Sequence, residues 1–403
     1  MNRFKTKLLL IVLILSGTLI QAQTFTNYTS ADGLPSDNVT GVAVDAANQK
    51  WFGTQDGVAK FNDVTWSTFT TANGLIDNYI NCIAVDINGN IWAGTDYGVS
   101  RYDGTVWTSY TIVNGLIDNM VNYIAGDPDG SVWFGTGSGL SNFNGTTWHN
   151  YTTADGLPND LISYIAVDQI GNKWLGTFIG GLSKFNGTTF TNFTIADSLP
   201  SDNIISIGIG ANNTKWIGTY SGVAVYDSLD HWIETYREAD GLYNNFIADI
   251  AMDSKNTMWF GLYDIYTQEG GITRNNQTVW KSYSLADGLI NNLVKRLAVD
   301  KSDNVWITTG GGVSKFYDPH SGISELARIG LKPYPNPATT ELHLDGLTTT
   351  GNFEIMTISG STVVSHLLVI GSNVISLQTL APGMYIMKYT TGSSGYSGKL
   401  IIR

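Results

Sequence analysis

The chain is short of three things. Its 403 residues include a single cysteine, Cys82, so neither a disulfide framework nor a Cys-x-x-Cys or Cys/His zinc site can be built from it. Only 14% of it is charged, and the basic sign is the scarcer: 22 Lys and Arg against 34 Asp and Glu, a net charge of −12. An acidic protein repels phosphate, which argues against nucleic acid as a partner. Long apolar runs are scarce too. The longest, Leu8 to Ile20, is thirteen residues, and a spanning helix needs about 20.

What is abundant is aromatic and small: 12 Trp, 20 Tyr, 15 Phe and 45 Gly. That much aromatic surface with so little charge excludes general disorder. The length exceeds one ordinary hydrophobic core, so either two domains or a repeat architecture is expected.

Both ends read as addresses. Residues 1–22 have a basic start (Arg3, Lys5, Lys7), the apolar run and then Gln21-Ala22-Gln23, the pattern of a secretory signal peptide. Losing those three cations would take the mature chain from −12 to −15. No span is expected in the mature chain, and a lone cysteine suits an exported protein that does not rely on disulfides. At the other end, five of the nine prolines lie at or beyond Pro319, and Lys332-Pro-Tyr-Pro-Asn-Pro337 favours a stiff, extended connection. A linker over 319–332 is expected. Short alternating segments follow: Glu341-Leu-His-Leu, Phe353-Glu-Ile-Met-Thr-Ile, Val374-Ile-Ser-Leu and Met384-Tyr-Ile-Met-Lys-Tyr. Their period of two predicts half-buried strands and a small β-sandwich over 333–403.

The middle repeats. Gly-Leu recurs at Gly33, Gly74, Gly115 and Gly156, each 41 residues after the last, and continues through Ser198-Leu199, Gly241-Leu242 and Gly288-Leu289. Trp51, Trp92, Trp133, Trp174, Trp216, Trp259 and Trp306 form a second series. Trp66, Trp107, Trp148, Phe190, Trp232 and Trp280 form a third, and the two together use all 12 tryptophans. The second copy shows the unit. Tyr79–Asp86 is a strand, Asn88-Gly89 a tight turn, Asn90–Thr95 a strand, Gly98–Tyr102 a third and Val106–Thr111 a fourth. Four antiparallel strands per repeat of about 42 residues is the signature of a propeller blade. The expected fold is therefore all-β: a seven-bladed β-propeller over 24–318, then the sandwich. The last copy stops after its third strand, near Tyr317, and an extra strand, Thr24–Thr29, precedes the first. Together they should complete one blade and remove a free sheet edge. Each Trp supplies on the order of 4–6 kcal/mol of gross burial, so the repeated residues read as structural.

Two family resemblances follow. Asp32-Gly-Leu-Pro-Ser-Asp-Asn38, Val42-Ala-Val-Asp45, Trp51-Phe-Gly-Thr54 and Gly57-Val-Ala-Lys-Phe61 resemble two-component regulator propeller repeats. Tyr334-Pro-Asn-Pro-Ala, Leu380-Ala-Pro-Gly-Met-Tyr and Gly398-Lys-Leu-Ile-Ile-Arg403 resemble the C-terminal sorting domain of type IX secretion substrates in Bacteroidetes. The first resemblance implies a sensor-like propeller that binds an extracellular ligand, often a glycan. The second implies contact with the type IX secretion machinery, then surface attachment or release.

Function should sit where the repeat fails to repeat, on loops held by a rigid scaffold. The turns between second and third strands differ most: Gln55-Asp56, Asp96-Tyr97, Gly137-Ser138, Phe178-Ile179, Tyr220-Ser221, Gly310-Gly311 and the enlarged Tyr263–Glu269. They nominate Tyr97, Phe178, Tyr220, Tyr263 and Tyr266 for stacking on sugar faces, and Asp56, Asp96, Asp264 and Glu269 for accepting hydroxyl hydrogen bonds. Asp77-Asn78, Asp118-Asn119 and Asp202-Asn203 recur and read as caps of their own loops. Asp86-Ile-Asn88-Gly89 begins like a calcium loop, but no Glu closes it, and a hairpin turn explains it better. No cofactor, metal or catalytic residue is expected. The five histidines lie in outer strands or towards the C-terminus. A glycosidase would need paired carboxylates, which Asp56 with Asp96, or Asp264 with Glu269, could form. The favoured function is non-catalytic ligand binding. A protein-interaction platform or adhesin is the alternative, and a propeller-fold lyase or glycosidase the second.

Overall fold

The computed structural model describes residues 24–264, 266–276, 279–317, 324–325, 332–357, 361–391 and 394–403. The expected signal segment, 1–22, and most of the expected linker lie outside them.

Seven four-stranded antiparallel sheets follow one another, six of them each built from four consecutive strands. The second strands are almost wholly buried, Lys50–Thr54 and Val132–Thr136 at every position, because each blade packs on both faces. The fourth strands are the most exposed and form the rim; Trp66–Phe69, for example, keeps two exposed residues. The seven first strands form the inner ring, each touching the next. The ring closes where Val294–Val299 meets Val39–Val44. The seventh sheet takes its fourth strand from the opposite end of the propeller: Thr24–Tyr28 pairs with Gly312–Tyr317 over five register positions.

An aspartate at the end of the first strand explains why the tryptophans recur. Asp45, Asp86, Asp127, Asp168, Asp253 and Asp300 each accept a hydrogen bond from the indole of the Trp six residues on, at 2.8–3.1 Å. The same carboxylates also hold the hairpin turn: Asp86 Oδ1 accepts from the backbone of Asn88 and Asn90. The calcium-like string is therefore a turn clamp. Blade five departs, because Gly210 stands where the other blades have Asp.

Between blades, the Leu of each Gly-Leu loop is the plug. Leu34, Leu75, Leu116, Leu157, Leu199, Leu242 and Leu289 are all buried. Leu75, for example, packs among Trp51, Ile83, Ala93 and Trp107 of blades one and two. The Gly of the second strand gives the next blade room. A Cβ on Gly135 would lie 2.6 Å from Ile162 Cγ2. Gly135→Ala is therefore expected to cost about 1–3 kcal/mol, read as a lower urea midpoint at unchanged slope. In blade seven the position is Thr308, whose hydroxyl instead accepts from the Arg296 backbone at 3.0 Å.

Thr24–Tyr317 is one compact unit. The C-terminal strands form another, with a five-stranded and a three-stranded sheet. Leu342, Leu344 and Ile375 from the smaller sheet share one core with Phe353, Ile355, Met387 and Tyr389 from the larger, a β-sandwich.

Candidate functional site

The inner ring, too, varies from copy to copy. Six first strands open with a buried Val or Ile, and in blade two the equivalent Ile80 lies just before the shorter strand Cys82–Val85. In six blades the pairing slips between that residue and the one two places on. Such a bulge re-aims side chains. The intervening residue clasps the next blade: Thr40 donates to the Ile80 carbonyl, Asn122 to Ile162 O at 3.1 Å and Ser163 to Ile204 O at 2.6 Å. The residue after the bulge is Gly41, Tyr123, Tyr164, Ser206, Asp249 or Arg296, and Cys82 stands at that place in blade two.

These side chains fill the channel. The Tyr123 and Tyr164 rings lie 4.0 Å apart, and the Arg296 guanidinium sits over both, at 5.5 and 5.7 Å. Tyr164 donates to Asp249 Oδ1 at 2.9 Å, and the Leu297 N–H donates to Asp249 Oδ2 at 2.7 Å. Burial pushes the Asp249 carboxyl above its ordinary range, against the pull of Arg296. Burial also pushes the Cys82 thiol up to about 12, which leaves it protonated and unreactive. A cavity of about 50 Å³ remains among Gly41, Cys82, Tyr123, Tyr164, Asp249 and Arg296.

Arg296 also borders a cavity of about 550 Å³ at the channel mouth, the size of a small-ligand site. It opens on the face that carries the turns between second and third strands. Four of the nine nominated residues line it: Asp96, Phe178, Tyr220 and Tyr263. Five do not. Tyr97 is exposed beside it, and Tyr266 is 87% exposed at the tip of the enlarged turn. Asp264 folds back to accept from the Tyr266 N–H at 2.7 Å, which makes it a turn cap. Asp56 and Glu269 are exposed and outside the lining.

The remaining lining comes from positions the turns did not nominate. Leu161, Asn203 and Phe246 directly precede first strands, Tyr79 lies three residues before the short first strand Cys82–Val85, and Phe246 stacks on Tyr220 with ring centroids 4.3 Å apart. Thr40, Asn122, Ser163, Ile205, Ala248, Lys295 and Arg296 come from the strands themselves, and Asn81 stands just before that of blade two. Aligning the seven copies and reading the columns that vary on either side of the constant Val or Ile would have found them. The dismissed loop residues do cap: Asn78 and Asn119 accept from the N–H seven residues earlier, as Asp202 does.

Asp96 is the carboxylate in the mouth lining, and its Oδ1 accepts from Asn81 at 2.7 Å. Burial, then the adjacent guanidinium of Arg296, lower the pKa of Lys295. A second cavity, about 440 Å³, lies between blades five and six, among Gly210, Trp216, Tyr236, Met252 and Trp280, where the Asp–Trp clamp is missing. Among the described residues no helix is long and apolar enough to cross a membrane, and no cluster of three metal-binding side chains occurs.

Residues 332–403 match the family model of the secretion system C-terminal sorting domain, and residues 74–97 and 115–138 match that of the two component regulator propeller. The chain carries both modules, and the sorting domain directs secretion to the cell surface or outer membrane. No curated protein sequence matches the chain significantly. Among solved structures it is similar to the extracellular domain of a hybrid two component system from B. thetaiotaomicron. That pair has 18% identity and a TM-score of 0.65, covering 94% of this chain and 57% of the other. It is also similar to PorZ, a surface component of the type-IX secretion system of Porphyromonas gingivalis, with 17% identity, a TM-score of 0.62, and 92% and 60% covered. A virginiamycin B lyase from Staphylococcus aureus, solved with quinupristin, gives 14% identity, a TM-score of 0.60, and 74% and 99% covered. The chain thus spans about 60% of the length of the first two, and at these identities the likeness is one of fold.

Proposed function

We propose that this exported propeller binds an extracellular saccharide in the channel-mouth cavity without transforming it. The observation that carries the reading is the lining. Phe178, Tyr220 and Tyr263 offer ring faces beside the amides of Asn81, Asn122 and Asn203 and the hydroxyl of Ser163. Rings take the C–H faces of a sugar, and amides satisfy hydroxyls as both donor and acceptor. Binding is favoured over hydrolysis because Asp96 is held by Asn81, and among the described residues no second carboxylate lines the mouth beside it. The sensor-like neighbours agree with a binding role, while the lyase neighbour marks that the same fold also hosts enzymes.

The test is a glycan array probed with the full secreted chain and with a Phe178→Ala/Tyr263→Ala double variant. Binding by the parent that falls about tenfold or more in the variant supports the reading. An array without hits, or hits that survive both substitutions unchanged, overturns it.

A second reading, a subunit of a surface complex, draws on the likeness to PorZ. Capture of a stoichiometric partner from envelope extracts, lost when the mouth face is altered, would favour it.

A further inference from the structure

We infer that the ligand of the mouth cavity is anionic, an acidic saccharide whose carboxylate or sulfate seats against Lys295 and the guanidinium of Arg296. The location and the saccharide class rest on the reading above, whereas the charge is a separate deduction.

The chain is acidic overall, with 34 Asp and Glu against 22 Lys and Arg. Its mouth cavity has the opposite balance. Among the described lining residues, two adjacent cations on the inner strand of blade seven stand against one carboxylate, Asp96, which Asn81 already holds. Lys295 donates to the neutral side chain of Asn38 and makes no ion pair among the described residues. Arg296 donates through Nη1 alone, to Ala248 O at 3.2 Å and Lys295 O at 3.1 Å. Its Nε and Nη2 find no hydrogen-bond acceptor among the described residues, and the guanidinium borders both channel cavities.

Asp249 does not complete this arrangement. Its oxygens are taken by Tyr164 and by the Leu297 backbone, it forms no ion pair with Arg296 among the described residues, and it lines the small cavity below rather than the mouth. A charge this deep is costly, and the nearby charge of Asp249 offsets some of it without a direct ion pair. The tyrosine rings beneath Arg296 offset part of that cost and hold the guanidinium plane in place. A carboxylate or sulfate in the mouth meets two adjacent cations, an ammonium and a guanidinium with N–H groups to spare, a pairing suited to an anion. A neutral sugar there would strip water from two cations and return no charge.

The experiment uses the full secreted chain on an array holding acidic and neutral saccharides. The best binder is then titrated beside its carboxyl-reduced or desulfated derivative, and against Lys295→Gln. Lys295→Gln is preferred to a change at Arg296 because the latter is packed into the channel; its melting temperature is checked against the parent. The expected result is an acidic best binder. Neutralising the ligand or removing the lysine should each weaken it roughly 10- to 100-fold, and the two losses should not add. A neutral best binder, or an acidic one indifferent to Lys295→Gln, would overturn the anionic assignment and leave saccharide binding standing. An array without any hit would remove both.

Discussion

A chain beginning at Thr29, without the strand Thr24–Tyr28, is expected to lose the cooperative fold of its propeller. That strand supplies the outer strand of blade seven, so its loss leaves Gly312–Tyr317 as a bare edge. It also removes Phe25, which packs edge-on against Tyr283 and Phe316, and Tyr28, which touches Phe61, Trp66 and Trp306. Both rings are half-buried, so each costs less than the about 3–5 kcal/mol of a fully buried aromatic, but together with the lost strand pairing they remove a large share of the about 5–15 kcal/mol of an ordinary domain. The freed edge adds a route to association. Circular dichroism melts and light scattering should show a broad, early transition and aggregates. A truncated chain that melts sharply within a few degrees of the parent would mean that the ring does not depend on this closure.

The second large effect concerns the turn clamp. Asp168 accepts from the Trp174 indole at 3.0 Å, from the Asn172 amide at 2.8 Å, and from the backbone of Asn172 and Ile170. Asp168→Ala strands several buried donors at once and is expected to cost about 3 kcal/mol or more near neutral pH. The pH dependence follows from the same contacts. Burial works against the carboxylate, but the bonds from Trp174 and Asn172 outweigh it and hold its pKa below the ordinary 3.8. Asp300 is held down in the same way, by Trp306 and Asn304. A pKa lowered by folding contributes stability that is complete above the unfolded value and disappears as pH falls through the folded one. The difference between parent and Asp168→Ala should therefore shrink as the pH drops below 3.8. Urea midpoints from pH 7 to pH 2 measure it, and a difference constant across that range would contradict the clamp.

Much of the fold was legible because its cause is periodic. A Trp every 41 residues or so, with hairpin turns at fixed offsets, leaves little choice but identical blades, and the split seventh blade followed from the phase of the repeat. The Asp–Trp clamp could have been read from the same alignment, since Asp45, Asp86 and Asp127 recur six residues before their tryptophans. The candidate site was half legible. Phe178, Tyr220, Tyr263 and Asp96 stand on turns that vary, and those turns do rim the cavity. The enlarged turn of blade six misled for a physical reason. Extra length let Asp264 cap its own backbone and carry Tyr266 outward into solvent. Arg296, Lys295 and Phe246 escaped notice because the inner strands look regular. Their bulge makes a position beside a constant valine face the channel, and a strand pattern alone does not disclose a bulge.

The most direct measurement is a crystal structure of the full chain with the best saccharide from the array. The predicted density lies in the channel mouth, with sugar rings against Phe178, Tyr220 or Tyr263 and an anionic group within hydrogen-bond distance of Lys295 and Arg296. Density between blades five and six near Trp216, or on the sorting domain, with an empty mouth, would contradict the account.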